Sequence, residues 1–221
     1  MAEPATAPAS VTKLEPPKQP AKIPISLHLG DRIIDGALIK PITFTTYMGF
    51  ISDAQAMTQP ADWQARVKRV RMVKQVTYFM GPAPITLSSQ EVLQLPIRDT
   101  LKIQALLDVD EGKLGKIVRE GDGIEKAIVY ELGTPVTMRS GKEPVVIREL
   151  EFFAKTYGDI EDVLAAPTLF HQGLVLLSTV AKPLGTSLSA LPSSALNQIT
   201  FTDGYFVVQN ILPHFIESPA D

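Results

Sequence analysis

The 221 residues hold three histidines and no cysteine. Lack of cysteine excludes thiolate nucleophiles, disulfides and thiolate zinc sites. His28, His171 and His214 are too few and too scattered to make a histidine-rich metal centre. His171 follows Phe170 near a helix start and reads as a packed or capping residue. His214 follows Pro213 at a helix end, where a cation suits the dipole. His28 falls in a strand with its side chain at the surface. No Gly-x-Ser-x-Gly elbow offers a serine nucleophile. Glu161 and Asp162 are adjacent, so on a helix they diverge and read as surface charge. Asp108-Val109-Asp110-Glu111-Gly112 begins like a calcium loop, but Gly112 falls where a ligand is needed and Lys113 where the glycine belongs. Gly121-Asp122-Gly123 reads as a turn or kink, because its Gly-rich turn is incomplete and no clear strand precedes it. No nucleophile, base and orienting group come together. The expectation is a chain with no catalytic residue, no metal and no cofactor.

The densest charge lies in residues 66–74, where Arg66, Lys68, Arg69, Arg71 and Lys74 take five of the 21 basic residues. Valines interleave at helical spacing, which makes this a basic amphipathic helix. Such a helix is the solvated back of a core helix, a docking face for an acidic partner helix, or a nucleic-acid contact. The last is the weakest reading: net charge is −3 and the rest of the chain is acidic, whereas nucleic-acid domains carry a basic excess over a whole face. Trp63 opens the same helix. Trp63, Arg66, Lys68, Arg69, Arg71 and Lys74 are therefore the candidate partner-binding residues.

The elements that must position these residues follow from composition and pattern. Hydrophobic residues make up 45% and charged residues 20%, enough apolar side chain for a substantial core. The first 24 residues carry six of the 18 prolines among Ala, Lys, Glu, Ser and Thr. Residues 1–22 are expected to be an extended arm, too poor in apolar side chains to offset the entropy of ordering. They lack the apolar core of a secretory signal. No window approaches the ~18 apolar residues of a membrane span. A soluble, intracellular protein is expected, with a short polar tail at 217–221.

A tetrapeptide of the form Pro-[Ile/Val]-[Ser/Thr]-[Leu/Met] occurs three times, at Pro24–Leu27, Pro84–Leu87 and Pro135–Met138. Each reads as a strand opening with proline where no ladder donor is needed. A turn and a second apolar strand follow each one, at 37–44, 92–97 and 145–147, and then the pattern turns helical. Helices are expected over 45–57, 61–80, 98–109, 113–131, 147–165 and 168–181. A short helix at 191–196 and a last one from Gly204 to Leu212, capped by Thr202-Asp203, complete the series. The predicted fold class is α+β. Three hairpin-plus-helices units, about 23–82, 83–133 and 134–216, pack into one compact body, since a lone hairpin is marginal in water.

The third unit carries a more specific likeness. Pro135-Val136-Thr137-Met138 leads into Val146-Ile147-Arg148-Glu149-Leu150. The run ends on Leu188-Ser189-Ala190-Leu191-Pro192, Leu196-Asn197-Gln198-Ile199 and the segment from Asp203 to Ile211. Over residues 134–216 this resembles the tail assembly chaperones of long-tailed bacteriophages. The resemblance implies a protein without a catalytic site that binds the long helical tape measure protein during tail assembly in the host cytoplasm. The alternative is a structural subunit of the phage tail or baseplate, kept in the virion tail. Either way the implied partners are phage tail proteins or further copies in a homo-oligomer, not nucleic acid or membrane.

Overall fold

The computed structural model describes residues 23–57, 62–108, 113–124, 126–140 and 143–216. The arm at 1–22, the tail at 217–221, Pro60 and the Asp-rich loop beyond Asp108 lie outside the described residues. Two four-stranded antiparallel sheets and their covering helices make an α+β fold, as the sequence predicts.

In the first sheet, β1 (Ile23–Leu29) and β2 (Arg32–Ile39) form a hairpin. Gly30 turns it at φ 58°, a left-handed conformation that glycine adopts without a Cβ clash. The chain then makes α1 (Phe44–Gln55) and α2 (Trp63–Lys74). It returns as β3 (Val76–Met80) against β2, and β4 (Ala83–Ile85) closes a second hairpin. Next come α3 (Ser89–Leu93) and α4 (Ile97–Asp108).

In the second sheet, β5 (Lys116–Arg119) pairs with the long β6 (Ile128–Ser140), and β6 pairs with β7 (Glu143–Phe152). Then follow α5 (Tyr157–Ala165) and α6 (Leu169–Val175), the latter continued by a π turn, Leu176–Val180. β8 (Ala181–Pro183) returns against β7. The chain ends with α7 (Ser193–Leu196), α8 (Phe201–Phe206) with its own π turn Val207–Ile211, and α9 (Pro213–Ile216).

Three hairpins, each followed by helices, are thus present, but two are collected into one sheet and the middle one sits elsewhere than expected. It is Val76–Met80 with Ala83–Ile85, not 83–97. Residues 76–80, expected as the end of a helix, form a strand: Val-Thr-Tyr-Phe is a β-branched and aromatic run with Val76 and Tyr78 inward. Residues 92–97, expected as a strand, are the end of α3, a turn and the first residue of α4. Ser88 accepts from Glu91 N at 3.2 Å and the Glu91 carboxylate accepts from Ser88 N at 2.7 Å, a reciprocal cap that starts α3. Residues 113–131, expected as a kinked helix, are β5, a turn and the start of β6. Residues 147–152, expected as a helix, are the inner strand β7, with Ile147, Leu150 and Phe152 buried. The proline placements hold physically. Pro24 and Pro84 lie on the two edge strands of the first sheet, and Pro135 lies in the irregular stretch of β6 between Glu131 and Val136.

Each sheet carries its own core. Leu27, Ile34, Tyr78, Met72, Ile103 and Leu107 anchor the first. Tyr130, Ile147, Leu150, Phe152, Leu176 and Ile211 anchor the second. The second core also takes in Phe44, Met48 and Ile51, which belong to α1 of the first half.

The two halves share one element order. Hairpin, two helices, a strand returning to the hairpin's second strand, a short helix and a longer helix describe both β1–α4 and β6–α8, with β4 added in the first half after the returning strand. The segment Ser89–Leu107 matches Ser193–Ile211 without a gap. Leu95 falls on Ile199, Ile97 on Phe201, Asp99 on Asp203 and Ile103 on Val207. Leu95, Ile103, Ile199 and Val207 are buried core residues, and both aspartates are buried as well. The second half also differs, because only its helices α6 and α8 widen into π turns.

Candidate interaction surface

Asp62 caps α2 by accepting from Gln64 N at 3.1 Å. Val67, Val70 and Met72 turn inward, which leaves the cations to the flanks of the helix. Their surroundings sort them into different jobs. Arg71 is buried: its Nε donates to Gln75 Oε1 at 2.9 Å and its Nη2 to Leu107 O, at the end of α4, at 2.7 Å. Its guanidinium also lies 6.0 Å from the Tyr47 ring centre and 5.7 Å from that of Phe201. Arg71 is therefore a tie between α1, α2, α4 and α8, not part of an open docking face. Lys74 pairs with Asp53 at 2.6 Å. Lys68 and Arg69 are half-buried and engaged in contacts of their own. Arg66 donates to Met57 O at 3.1 Å and Ala54 O at 3.4 Å, so it holds the end of α1. It also lies 5.6 Å from the ring centre of Trp63, which is 37% exposed.

Trp63 and Arg66 do come together in space. With Ile51, Gln55, Thr168 and Phe170 they line an open cleft of about 330 Å³ between α1, α2 and the start of α6. Arg66 Nε is buried there without a hydrogen-bond partner. The cleft thus has an aromatic and aliphatic lining with one cation at its side, and it spans the junction of the two halves.

Sequence reasoning missed the far wall of this cleft and the aromatic cluster that supports it. Tyr47 stacks obliquely on Phe201 at 4.5 Å and on Phe170 at 5.5 Å, while Tyr205 lies 5.7 Å from Phe201 and 6.1 Å from Phe170. Burial raises the Tyr47 phenol above its usual range, against the pull of the Arg71 charge. Phe44, fully buried, fits where a Cβ on Gly204 would overlap its ring. Two backbone bonds fix the junction: Phe44 N donates to Ile199 O at 2.9 Å and Phe201 N to Ile42 O at 3.0 Å. The only local signals for this were the caps Thr43, Thr168 and Thr200, which start the three helices concerned.

Thr202-Asp203, expected to cap the last helix, lies inside α8 instead. Thr200 is the capping residue, and Asp203 faces inward with its side chain saturated. It accepts from Tyr130 Oη and Gly133 N, both at 2.8 Å, and from Thr200 Oγ1 at 2.8 Å. Burial, then the neighbouring Asp203 charge, raises the Tyr130 phenol well above its usual range.

The remaining candidates take structural positions. His171 Nδ1 shares a hydrogen bond with Thr168 Oγ1 at 2.8 Å at the start of α6. His28 is exposed on β1, and His214 lies in the last turn of α9. Asp122 accepts from Lys126 N at 2.8 Å and Ile124 N at 3.1 Å, with Gly123 at φ 75°, so Gly121-Asp122-Gly123 is the turn between β5 and β6. Among the described residues no three His, Asp or Glu side chains cluster as a metal site would require, and no helix is long and apolar enough to cross a membrane. Compared with known proteins, the chain matches no family model, no curated protein and no solved structure.

Proposed function

We propose that the protein is a non-catalytic phage tail assembly protein, a chaperone that binds the tape measure protein in the host cytoplasm and leaves before the virion is complete. The likeness of residues 134–216 to tail assembly chaperones supports this reading. The observation that carries it is the cleft lined by Ile51, Trp63, Phe170 and Arg66. An amphipathic helix presents apolar anchors at one-turn spacing, and a cleft with aromatic walls is the shape that receives such an anchor. An acidic side chain beside the anchor would meet Arg66.

The test is capture of the cognate tape measure protein by the full chain. Binding is expected, and Trp63→Ala is expected to weaken it about tenfold or more, the scale of an aromatic anchor. Failure to recover tape measure protein, where an established chaperone recovers its own, sinks the proposal. Mass spectrometry of purified particles beside an infected-cell lysate is the second check. Stoichiometric presence in the particle would overturn the chaperone reading in favour of a tail or baseplate subunit.

A further inference from the structure

The doubled element order leaves one contact made and its counterpart unmade. In the second half, the outer face of α8 presents Phe201, Gly204 and Tyr205, and α1 of the first half lies on it. The corresponding face of α4 presents Ile97, Thr100 and Leu101. Ile97 is 78% and Leu101 59% exposed, and Leu93 on the neighbouring α3 is 53% exposed. A face with that much bare aliphatic surface on one turn is unusual unless something covers it.

The same correspondence says what fits. The helix that covers α8 is α1, and its counterpart is α5. Both start from a threonine cap, Thr43 in one and Thr156 in the other. Phe44, which fills the notch at Gly204, corresponds to Tyr157, and Tyr157 is 66% exposed. Among the described residues α5 packs on α6 and the π turn that follows it, and has no substantial packing on α4. The charges also match: α5 exposes Asp159, Glu161 and Asp162, while the α4 face carries Arg98 and Lys102 beside its leucine and isoleucine.

The geometry points to a second copy of this chain as the occupant: α5 of one copy, led by Tyr157, docks on the Leu93–Ile97–Leu101 face of the next, repeating between chains the contact that α1 and α8 make within one. Such a contact joins two different surfaces, so it propagates head to tail and closes into a ring or continues as a filament.

Sedimentation of the full chain over a concentration series tests this. The wild-type mass is expected to rise with concentration beyond two chains. Leu101→Asp and Tyr157→Asp, both at exposed positions, are each expected to remain at the mass of one chain with unchanged thermal unfolding. Ile97→Asp serves as an independent lesion on the α4 face. Mixing Leu101→Asp with Tyr157→Asp leaves one intact pair of surfaces and is expected to yield a complex of two chains and nothing larger. A wild-type chain that stays single at every concentration overturns the inference. So do single variants that associate like the wild type, or a mixture that stays at one chain.

Discussion

In the second half of the molecule α8 is held from two sides, by its own sheet below and by α1 of the first half above. In the first half, among the described residues, α4 packs chiefly on its own sheet and α2, and Ile97 and Leu101 on its outer face are exposed. The residues follow this difference. Where α8 is covered, the positions are Phe201 and Gly204, shaped to admit Phe44 and Tyr47, with Tyr205 at the rim still 42% exposed. Where α4 is open, they are Ile97, Thr100 and Leu101. The buried acid shows the same divergence. Asp203 satisfies Tyr130, Gly133 and Thr200, whereas the pairing of Asp99 is an ion pair with the half-exposed Lys102 at 3.2 Å. A repeated element order therefore fixes where a helix and its third-residue acid stand. What the acid does depends on its own half: β6 supplies Tyr130 and Gly133 to Asp203, while Asp99 meets only a lysine one turn along its own helix.

The junction is the sharpest place to break this comparison. Phe44→Ala removes a fully buried ring from between the halves and is expected to cost about 3–5 kcal/mol, as large-to-small changes of this kind do. Urea unfolding followed by the fluorescence of Trp63, the sole tryptophan and close to the junction, measures it. Ile97→Ala, on the bare counterpart of the face that α1 covers, is expected to stay within about 0.5 kcal/mol of wild type at low concentration. Equal losses would show that the two faces are not distinguished by cover.

The two acids come next. Asp203→Ala strands the Tyr130 hydroxyl and the Gly133 N–H in the interior and is expected to cost roughly 2–4 kcal/mol. Asp99→Ala gives up a partly exposed pair and is expected to cost about 1 kcal/mol or less. Chemical denaturation of both variants in parallel reads the difference. Arg71→Leu, which leaves Leu107 O and Gln75 unanswered, is expected to cost roughly 1–3 kcal/mol. Arg71→Lys should not restore it, because one ammonium cannot reproduce the two-sided fork.

The smallest effects are in pH. Tyr130 is held neutral in the fold by burial and by the Asp203 charge, so its phenol ionises more readily when the chain unfolds. Its stabilisation is complete below about pH 10, the ordinary tyrosine value, and is lost progressively as pH rises above that. Tyr130→Phe is expected to flatten this alkaline loss. In the first half the sign is opposite. The Arg32 guanidinium, then the Ser88 N–H, lowers the Glu91 carboxyl from 4.5 to about 2. That contribution is present above the ordinary glutamate value and fades as pH falls toward about 2. Asp159, held low by the Thr156 and Lys155 N–H groups, adds to the same acid limb, so Glu91→Gln should shrink that limb and leave the alkaline one untouched. Thermal melts across pH check both.

Much of the fold is legible locally. The first hairpin opens at Pro24 as its proline before a β-branched residue suggests, and the helical segments before Pro167 and Pro183 stop within a few residues of those prolines. What misled was the short apolar run. Val76–Met80 continues the stripe of α2 and Ile147–Phe152 has a helix-like spacing, yet both are strands. Runs of that length carry too few repeats to separate a period of two from one of 3.6. The Ser88–Glu91 cap was a readable helix signal inside the segment expected to be a strand. The candidate site was half legible: Trp63 and Arg66 could be found from charge and helical spacing, but Phe170, Ile51 and Gln55 on the opposite wall could not.

The α+β class, the first and last hairpins with helices behind them, and the basic character of α2 are written in the sequence alone, because each rests on periodicities within a few residues. Only the tertiary structure decided that two hairpins share a sheet, that Arg71 is an inward tie rather than a surface charge, and that Asp203 is a buried acceptor rather than a cap. It alone also decided that α1 of one half completes the core of the other. Those outcomes depend on contacts between residues far apart in the chain, where burial sets the energy and no local pattern records the partner.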